Sequence, residues 1–557
     1  MRLQKLTLFI RLALGFVWLA ILQTNFSPAI PVHAQRGAPL SPTRVFPTRT
    51  RVLNFAQAAR TQAASPRRAQ TPIAIPLPAR PPIPSRASQP NPAPDRAPAR
   101  VPRDVSPAPE NSFLALYDNT AIIPPDTMGA VGLAHLVTML NSEVRIQDKT
   151  GAVVSTLSLD AFWDPTLPFD PRVVYDPFQH RWIAVVVAGA RSSASSICFA
   201  VSQSSSPLAG WNQACLDVSA SNTHWADFPA IGFNKDWIIV TVNLVPISSG
   251  SWQGLVYAIH KTNFYAGAFE AYFWSDASTP LFMVPALMYD HSLDVVYLIE
   301  NYNSATGTLR KSLVSGTAPL NLGLTTGTAF VTSALGGWSE PGGDVLPQAG
   351  GFRSIDAIDA RIHNAVVRTI DGVTSLWCTN NIGLPAGGAP TRYAAQWWQL
   401  DANPYAGVIY QQGRVQDPTA TVSNGGYHYA YPSLAVNRAG DMLIGFSRFS
   451  AFEFASAAYA LRYNFDPANT TRDPIVFKTG EGYYEKTFGK GSNRWGDYSA
   501  TAVDPLSDIN FWTIQEYAGT PIGFGDGAGR WGTWWGFLKL TPTIPSVHFF
   551  PQISKEP

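Results

Sequence analysis

Between Phe113 and Leu540 the apolar residues come in short runs cut by turn residues, and the runs arrive in pairs. The first members of the pairs are PPDTMGAVG from Pro124, DPRVVYD from Asp170, DFPAIGFN from Asp227, VPALMYD from Val284, YPSLAVN from Tyr431 and GDYSATAVD from Gly496. A second run follows each after a few turn residues: HLVTML, RWIAVVVA, DWIIVTVN, DVVYLIE, DMLIGFS and INFWTIQEY. Runs of this length bounded by Gly, Pro, Asn and Asp read as strands, and helical periodicity is nearly absent. Strand, tight turn, strand is therefore the repeating unit. It cannot bury its apolar face alone, and radial stacking of copies gives an all-β fold, the β-propeller. With a weaker recurrence, RSIDAIDARIHNAVVRT from Arg353, the spacing predicts seven blades, with six and eight left open. Each unit is longer than the ~40 to 45 residues of a compact propeller repeat, which predicts long loops on one face.

The ends have a different pattern. Arg2, Lys5 and Arg11 flank or precede the apolar run LALGFVWLAIL, which leads to Val32, His33 and Ala34. That order predicts a signal peptide over residues 1–34 and a secreted or cell-surface protein; the run falls short of the ~20 residues needed to span a bilayer. Residues 35–112 are rich in Pro, Ala, Arg and Ser, too poor in apolar surface to offset ordering entropy, and predict a disordered, extended linker. The linker holds twelve Arg against Asp95, Asp104 and Glu110, a net +9, and the leader adds +3. Since the whole chain is +2, the remainder carries −10. A basic arm on an acidic body suits contact with an anionic envelope polymer or lipid and disfavours nucleic acid, for which no binding module is present. The body is expected over residues 113–540. The tail, residues 541–557, ends in a small apolar cluster and Lys555, compatible with a frayed end or a surface-sorting signal.

Three cysteines are present. Cys198 in ICFAVS and Cys215 in NQACLDV flank a hairpin-like connector and favour a cross-strand disulfide in an exported chain, two buried thiols being the alternative. Cys378 reads as a small core residue. No CxxC, HExxH or GxSxG occurs, so zinc, dithiol and serine-hydrolase chemistry lack support.

In a propeller, equivalent positions of successive blades converge near the axis. Asp126, Asp170, Asp227 and Asp497 stand at the head of the recurring phrase, and Asp356 is a further candidate. Converging carboxylates need a cation or a basic ligand between them, which predicts a Ca²⁺ or cationic site on the axis. The competing expectation is that each Asp caps a turn. At the other end of the phrase, Asp176, Asn234, Asp290, Asn437 and Asp504 read as hairpin residues. Among the aromatics, Trp495, Trp534 and Trp535 lie beside Arg494 or in RWGTWWGF and are candidates for stacking on a sugar ring, against packing between blades.

Read in order, PPDTMGAVG, DPRVVYDPFQHRW, ADFPAIGF and RWGDYSATAVDPLSDINFW resemble the motifs of a family of large secreted bacterial β-propeller proteins related in shape to sialidases. The resemblance covers nearly all of the body. It implies a propeller and secretion, and leaves the chemistry open. A sialidase-like glycoside hydrolase would need Arg181, Arg353 or Arg494 around one pocket with Asp126 and a Tyr517–Glu516 pair, but adjacent strand residues point to opposite faces. The expected function is accordingly an extracellular binding or adhesion module for a glycan or surface protein. A sialidase-like hydrolase and a purely structural envelope protein are the alternatives.

Overall fold

The computed structural model describes residues 39–64, 72–76 and 103–540, apart from 164–166, 276–278, 422–424 and 490. Each predicted pair of runs forms the first two strands of an antiparallel sheet. Met128–Val131 and His135–Met139 open a sheet completed by Glu143–Asp148 and Val153–Ser158. Pro168–Asp176 and Arg181–Ala188 continue into Ser196–Ser202 and Gly210–Asp217. Further four-stranded sheets begin at Val284–Pro285, His428–Val436 and Ala500–Val503. In one ten-stranded sheet, the antiparallel runs that begin with His224–Phe233 and Ile362–Ile370 are bridged by parallel pairing to Leu287–Met288.

The first strands of neighbouring runs touch in chain order, and Ala500–Val503 returns to Met128–Val131. The sheets therefore close into a ring, an all-β propeller arrangement. The last sheet takes its fourth strand, Asn111–Tyr117, from the other end of the chain. That pairing removes two free edges at once.

Tryptophans wedge the sheets together, and the phrase GAVG shows how. A Cβ on Gly129 would lie 2.6 Å from the Trp535 ring, and one on Gly132 would lie 2.4 Å from Trp182. The two glycines thus make room for an indole from the sheet on either side. The hairpin residues behave as turn chemistry dictates: the Asn234 side chain accepts from the N–H groups of Asp236 and Trp237 at 2.9 and 2.8 Å, and Asn437 from Ala439 and Asp441 at 2.9 and 3.0 Å. Cys198 and Cys215 sit opposite each other on adjacent strands and form a disulfide, while Cys378 is a buried free thiol.

The expectation of disorder throughout residues 35–112 is corrected. Leu40 bridges Leu324, Thr43–Val45 pairs with Ala271–Phe273, and Arg49–Asn54 pairs with Gly210–Cys215 as a fifth strand. The helix Phe55–Ala64 follows and packs on Val153–Ser158. The segment TRVFPTRTRVLNF is locally β-prone, and its backbone finds ready partners on sheet edges. Phe55 is fully buried, 6.0 Å from Phe162 and clustered with Trp163 and Trp211. Arg44 pairs with Glu270, and Arg51 donates to Gln213 Oε1 at 2.6 Å, so part of the arm's charge is committed to the body. Further on, Ile73–Ala74 pairs in parallel with Ile122–Ile123, and Ser106 N–H bonds to the Asp473 carbonyl at 3.0 Å. The ordered body consequently begins before residue 113. The leader and the C-terminal tail lie outside the described residues.

Candidate functional site

At the start of several first strands the backbone makes the same bulge. The register shifts between Phe169 and Arg172, Asp227 and Ala230, and Ala430 and Ser433. Within each bulge one residue is left-handed: Asp170 at φ 53, Phe228 at φ 51 and Tyr431 at φ 58, with Asp126 (φ 51) and Phe282 (φ 55) placed alike before Met128 and Val284. Such values are uncommon outside glycine, and bulges re-aim side chains. The bulges also revise the alignment of the repeats. Phe228, not Asp227, matches Asp126 and Asp170.

Asp126, Asp170, Asp227 and Asp497 are nonetheless brought together, all buried, with three arginines among them. Asn141 Nδ2 donates to Asp126 Oδ2 at 2.6 Å, its Oδ1 accepts from the Asp170 N–H at 2.8 Å, and the Phe228 N–H donates to Asp170 Oδ2 at 2.9 Å. Arg494 is ion-paired with Asp497. Arg361 grips Asp359 with two bonds of 2.7 Å and lies 4.2 Å from the Phe228 ring and 4.4 Å from the Phe282 ring. Arg172 donates Nε to the Pro229 carbonyl at 2.8 Å and stacks 3.3 Å over Tyr498 and 4.9 Å from Phe228. Cations and aromatic faces thus alternate around the carboxylates.

Burial raises the pKa values of Asp126, Asp170 and Asp227. The Asp126 carboxyl is held well above its ordinary range by burial and then by Asp497 and Asp170. Asp170 is pushed up to about 7 by burial and then by Asp227 and Asp497, opposed by its hydrogen bonds to Asp126 and the Phe228 N–H. Asp227 is pushed up to about 7 by burial, with Arg361 acting against it. Asn141 bridges Asp126 and Asp170, whose protons belong to the pair rather than to either residue. Among the described residues no three His, Cys, Asp or Glu side chains are disposed to hold a metal ion. The positive charge found beside the converging carboxylates is that of Arg172, Arg361 and Arg494.

The cluster is a sealed polar plug. Below it the first strands surround an axial cavity of about 260 Å³, from Arg172, His363 and Ser499 at one end to Phe178, Tyr289 and Asp508 at the other.

The tryptophan candidates lie elsewhere. Trp495 is buried and donates to Ser447 Oγ at 3.1 Å; Trp535 is buried and donates to Thr138 Oγ1 at 3.0 Å. Trp534 is half-buried, edge-on to Tyr517 and with Lys478 Nζ 4.6 Å from its ring. All three are packing residues. The hydrolase arrangement does not form either. Arg181 donates to the carbonyls of Gln179 and His180, away from Arg494, and Arg353 pairs with Asp344. Glu516 faces Thr127 Oγ1 at 3.3 Å while Tyr517 faces Trp534. Asn141, Arg172, Arg361 and Tyr498 were not foreseen as cluster members. Arg172 and Tyr498 lie inside the recurring phrases, where a polar or charged residue in an otherwise apolar strand was the available signal.

An aromatic surface does exist, on the loop just before RWGTWWGF. Phe524 is 87% exposed. It stands edge-on to Phe352 and Tyr483, at 6.4 and 6.0 Å, and those two rings stack on each other at 4.0 Å. Gly525 N–H donates to the Tyr483 hydroxyl at 3.0 Å, fixing the loop. Polar groups flank the platform: the Arg353–Asp344 pair follows Phe352, and Asp526 accepts from Thr487 N–H and hydroxyl, both at 2.6 Å.

No family model matches the chain, and a search of curated proteins finds no relative. Among solved structures, the haemagglutinin-neuraminidase of parainfluenza virus 5 is 11% identical, over 66% of this chain and 94% of that one, at a TM-score of 0.34. A Trypanosoma rangeli sialidase in complex with the inhibitor DANA is 9% identical, over 76% of this chain and 59% of that one, at 0.32. A GH43 endo-arabinanase from Bacillus licheniformis is 10% identical, over 55% and 92%, at 0.25. At these values the site has to be interpreted from its own residues.

Proposed function

We propose that the protein is a secreted, seven-bladed propeller that acts as an extracellular binding module for carbohydrate. The blade count treats the ten-stranded sheet as two blades, beginning at His224 and Ile362 and joined through Leu287–Met288, beside five separate sheets. Export rests on the leader pattern and on the resemblance to the secreted family. Contact of the basic arm with an anionic envelope polymer rests on its charge.

The observation that carries the binding role is the exposed Phe524 ring beside Phe352 and Tyr483. Exposed aromatic groups rimmed by polar residues mark ligand sites, and a flat ring matches the C–H face of a sugar while the flanking carboxylates and guanidinium suit its hydroxyls. A binding module is favoured over a hydrolase because the concentrated acids and bases are sealed in the plug, away from any substrate.

The test is titration of the full chain against a panel of soluble bacterial polysaccharides and sialosides by calorimetry. Phe524→Ala is expected to weaken the best ligand by roughly tenfold, about 1.4 kcal/mol, with an unchanged melting temperature. A panel without a single binder would favour the structural envelope role, and sugar release by the wild type would restore the hydrolase.

A further inference from the structure

Among the described residues two lysines are fully buried against aspartates, and they differ in chemistry. Lys261 Nζ lies 2.6 Å from Asp176 Oδ2, with side-chain exposures of 1% and 0%. Asp176 also accepts from the N–H groups of Phe178 and Gln179 and from the Tyr265 hydroxyl, and Lys261 also donates to the Asn234 carbonyl at 2.9 Å. Both charges are well solvated by the protein, as a stable buried ion pair requires.

Lys486 and Asp118 are less well provided for. Both side chains are fully buried and in contact, Nζ to Oδ2. Among the described residues Asp118 Oδ2 is the hydrogen-bond acceptor for that amine; the Phe488 ring at 5.4 Å adds a cation–π contact, while the Arg530 guanidinium, whose Nε is itself buried without a partner, disfavours a second positive charge beside it. Burial lowers the Lys486 pKa; Asp118 acts against that, and Arg530 adds to it more weakly. The other oxygen of Asp118 accepts from the Thr120 N–H at 2.7 Å. Burial raises the Glu516 carboxyl pKa well above its ordinary range, and Asp118 lies close enough to add to that rise.

We propose that Lys486 and Asp118 react with each other in the folded protein to form a side-chain amide. In the dry contact the ammonium passes a proton to the carboxylate, which leaves a free amine against a carboxylic acid. The amine nitrogen attacks Cγ, and the Thr120 N–H stabilises the oxygen on which charge develops. The C–N bond forms, the C–OH bond breaks, and the hydroxyl leaves with a second amine proton as water. No oxidant, cofactor or leaving group beyond that water is required. The product ties the end of the closing strand Asn111–Tyr117 to the loop before the last sheet, across 368 residues of sequence.

Intact-mass spectrometry of the purified, reduced full chain tests this. The mass is expected to be about 18 Da below that of the mature sequence, and trypsin should leave one branched peptide containing both Asp118 and Lys486. Lys486→Arg should restore the full mass, and the Lys261–Asp176 pair should give two separate peptides in every sample. Finding Asp118 and Lys486 on separate peptides in folded wild-type protein would overturn the proposal, whether or not the variant folds.

Discussion

Stability should fall as the pH is raised from about 6.5 to about 8, and Asp170→Asn should remove part of that fall. Asp170 and Asp227 have pKa values of about 7 in the fold, against ~3.9 in an unfolded chain. Between those values the native state holds protons that the unfolded state has released. Its stability is therefore fully present below the unfolded pKa and is lost as pH rises through the folded one. A shift of about three units corresponds to ~4 kcal/mol for one group, and because the carboxyls interact the cluster contributes less than the sum of its members. His363 and His428 act oppositely. Burial lowers them to about 3 and about 4, so they cost stability as pH falls below ~6.5, and the carboxyl effect is clearest above that point. The amide of Asn at position 170 can donate to Asp126 and accept from the Phe228 N–H without a charge. Denaturant melts of both proteins at several pH values should show the variant gaining by roughly 1 kcal/mol on the wild type between pH 6.5 and pH 8. Parallel curves would mean that the buried carboxylates are neutralised by the arginines alone.

The second large effect is expected at Phe55. Removing a fully buried aromatic costs ~3 to 5 kcal/mol, yet the ring belongs to a segment whose strands Thr43–Val45 and Arg49–Asn54 are added at the outer edges of their sheets. Phe55→Ala should therefore release the arm locally and leave the sheets folded. The readout is limited trypsin digestion. Wild-type protein should resist cutting at Arg49 and Arg51, whose segment is paired strand, whereas the variant should be clipped there at a rate near that of an unfolded peptide. Equal resistance in both proteins would show that strand pairing, not Phe55, holds the arm.

The propeller was legible because its unit recurs: alternating runs and turn residues mark strands wherever a sheet is stacked on its own copies. Convergence of Asp126, Asp170, Asp227 and Asp497 was legible for the same reason. What balances them was not, because Arg361 precedes an ordinary-looking strand and Asn141 follows a hairpin, and only the closed ring brings them together. The bulges that put Phe228 where an Asp was expected have no distinct sequence signal. The arm was misjudged because composition averages over 78 residues hid a dozen β-prone ones. Which of the two roles Trp535 takes was not legible, because Gly129, its space on the neighbouring sheet, lies some four hundred residues away.

The arm and the closing strand also set an order of events. Residues 39–64 leave the ribosome early, but their partners at Gly210–Cys215, Ala271–Phe273 and Leu324 come much later. Asn111–Tyr117 must wait for Arg530–Leu538. So high a contact order makes folding slow, and a vectorially delivered chain keeps open sheet edges until its final hairpin arrives. Truncation within the last thirty residues before Leu540 should therefore act on the first domain edge as much as on the last, yielding a chain that has every earlier sheet and no way to close.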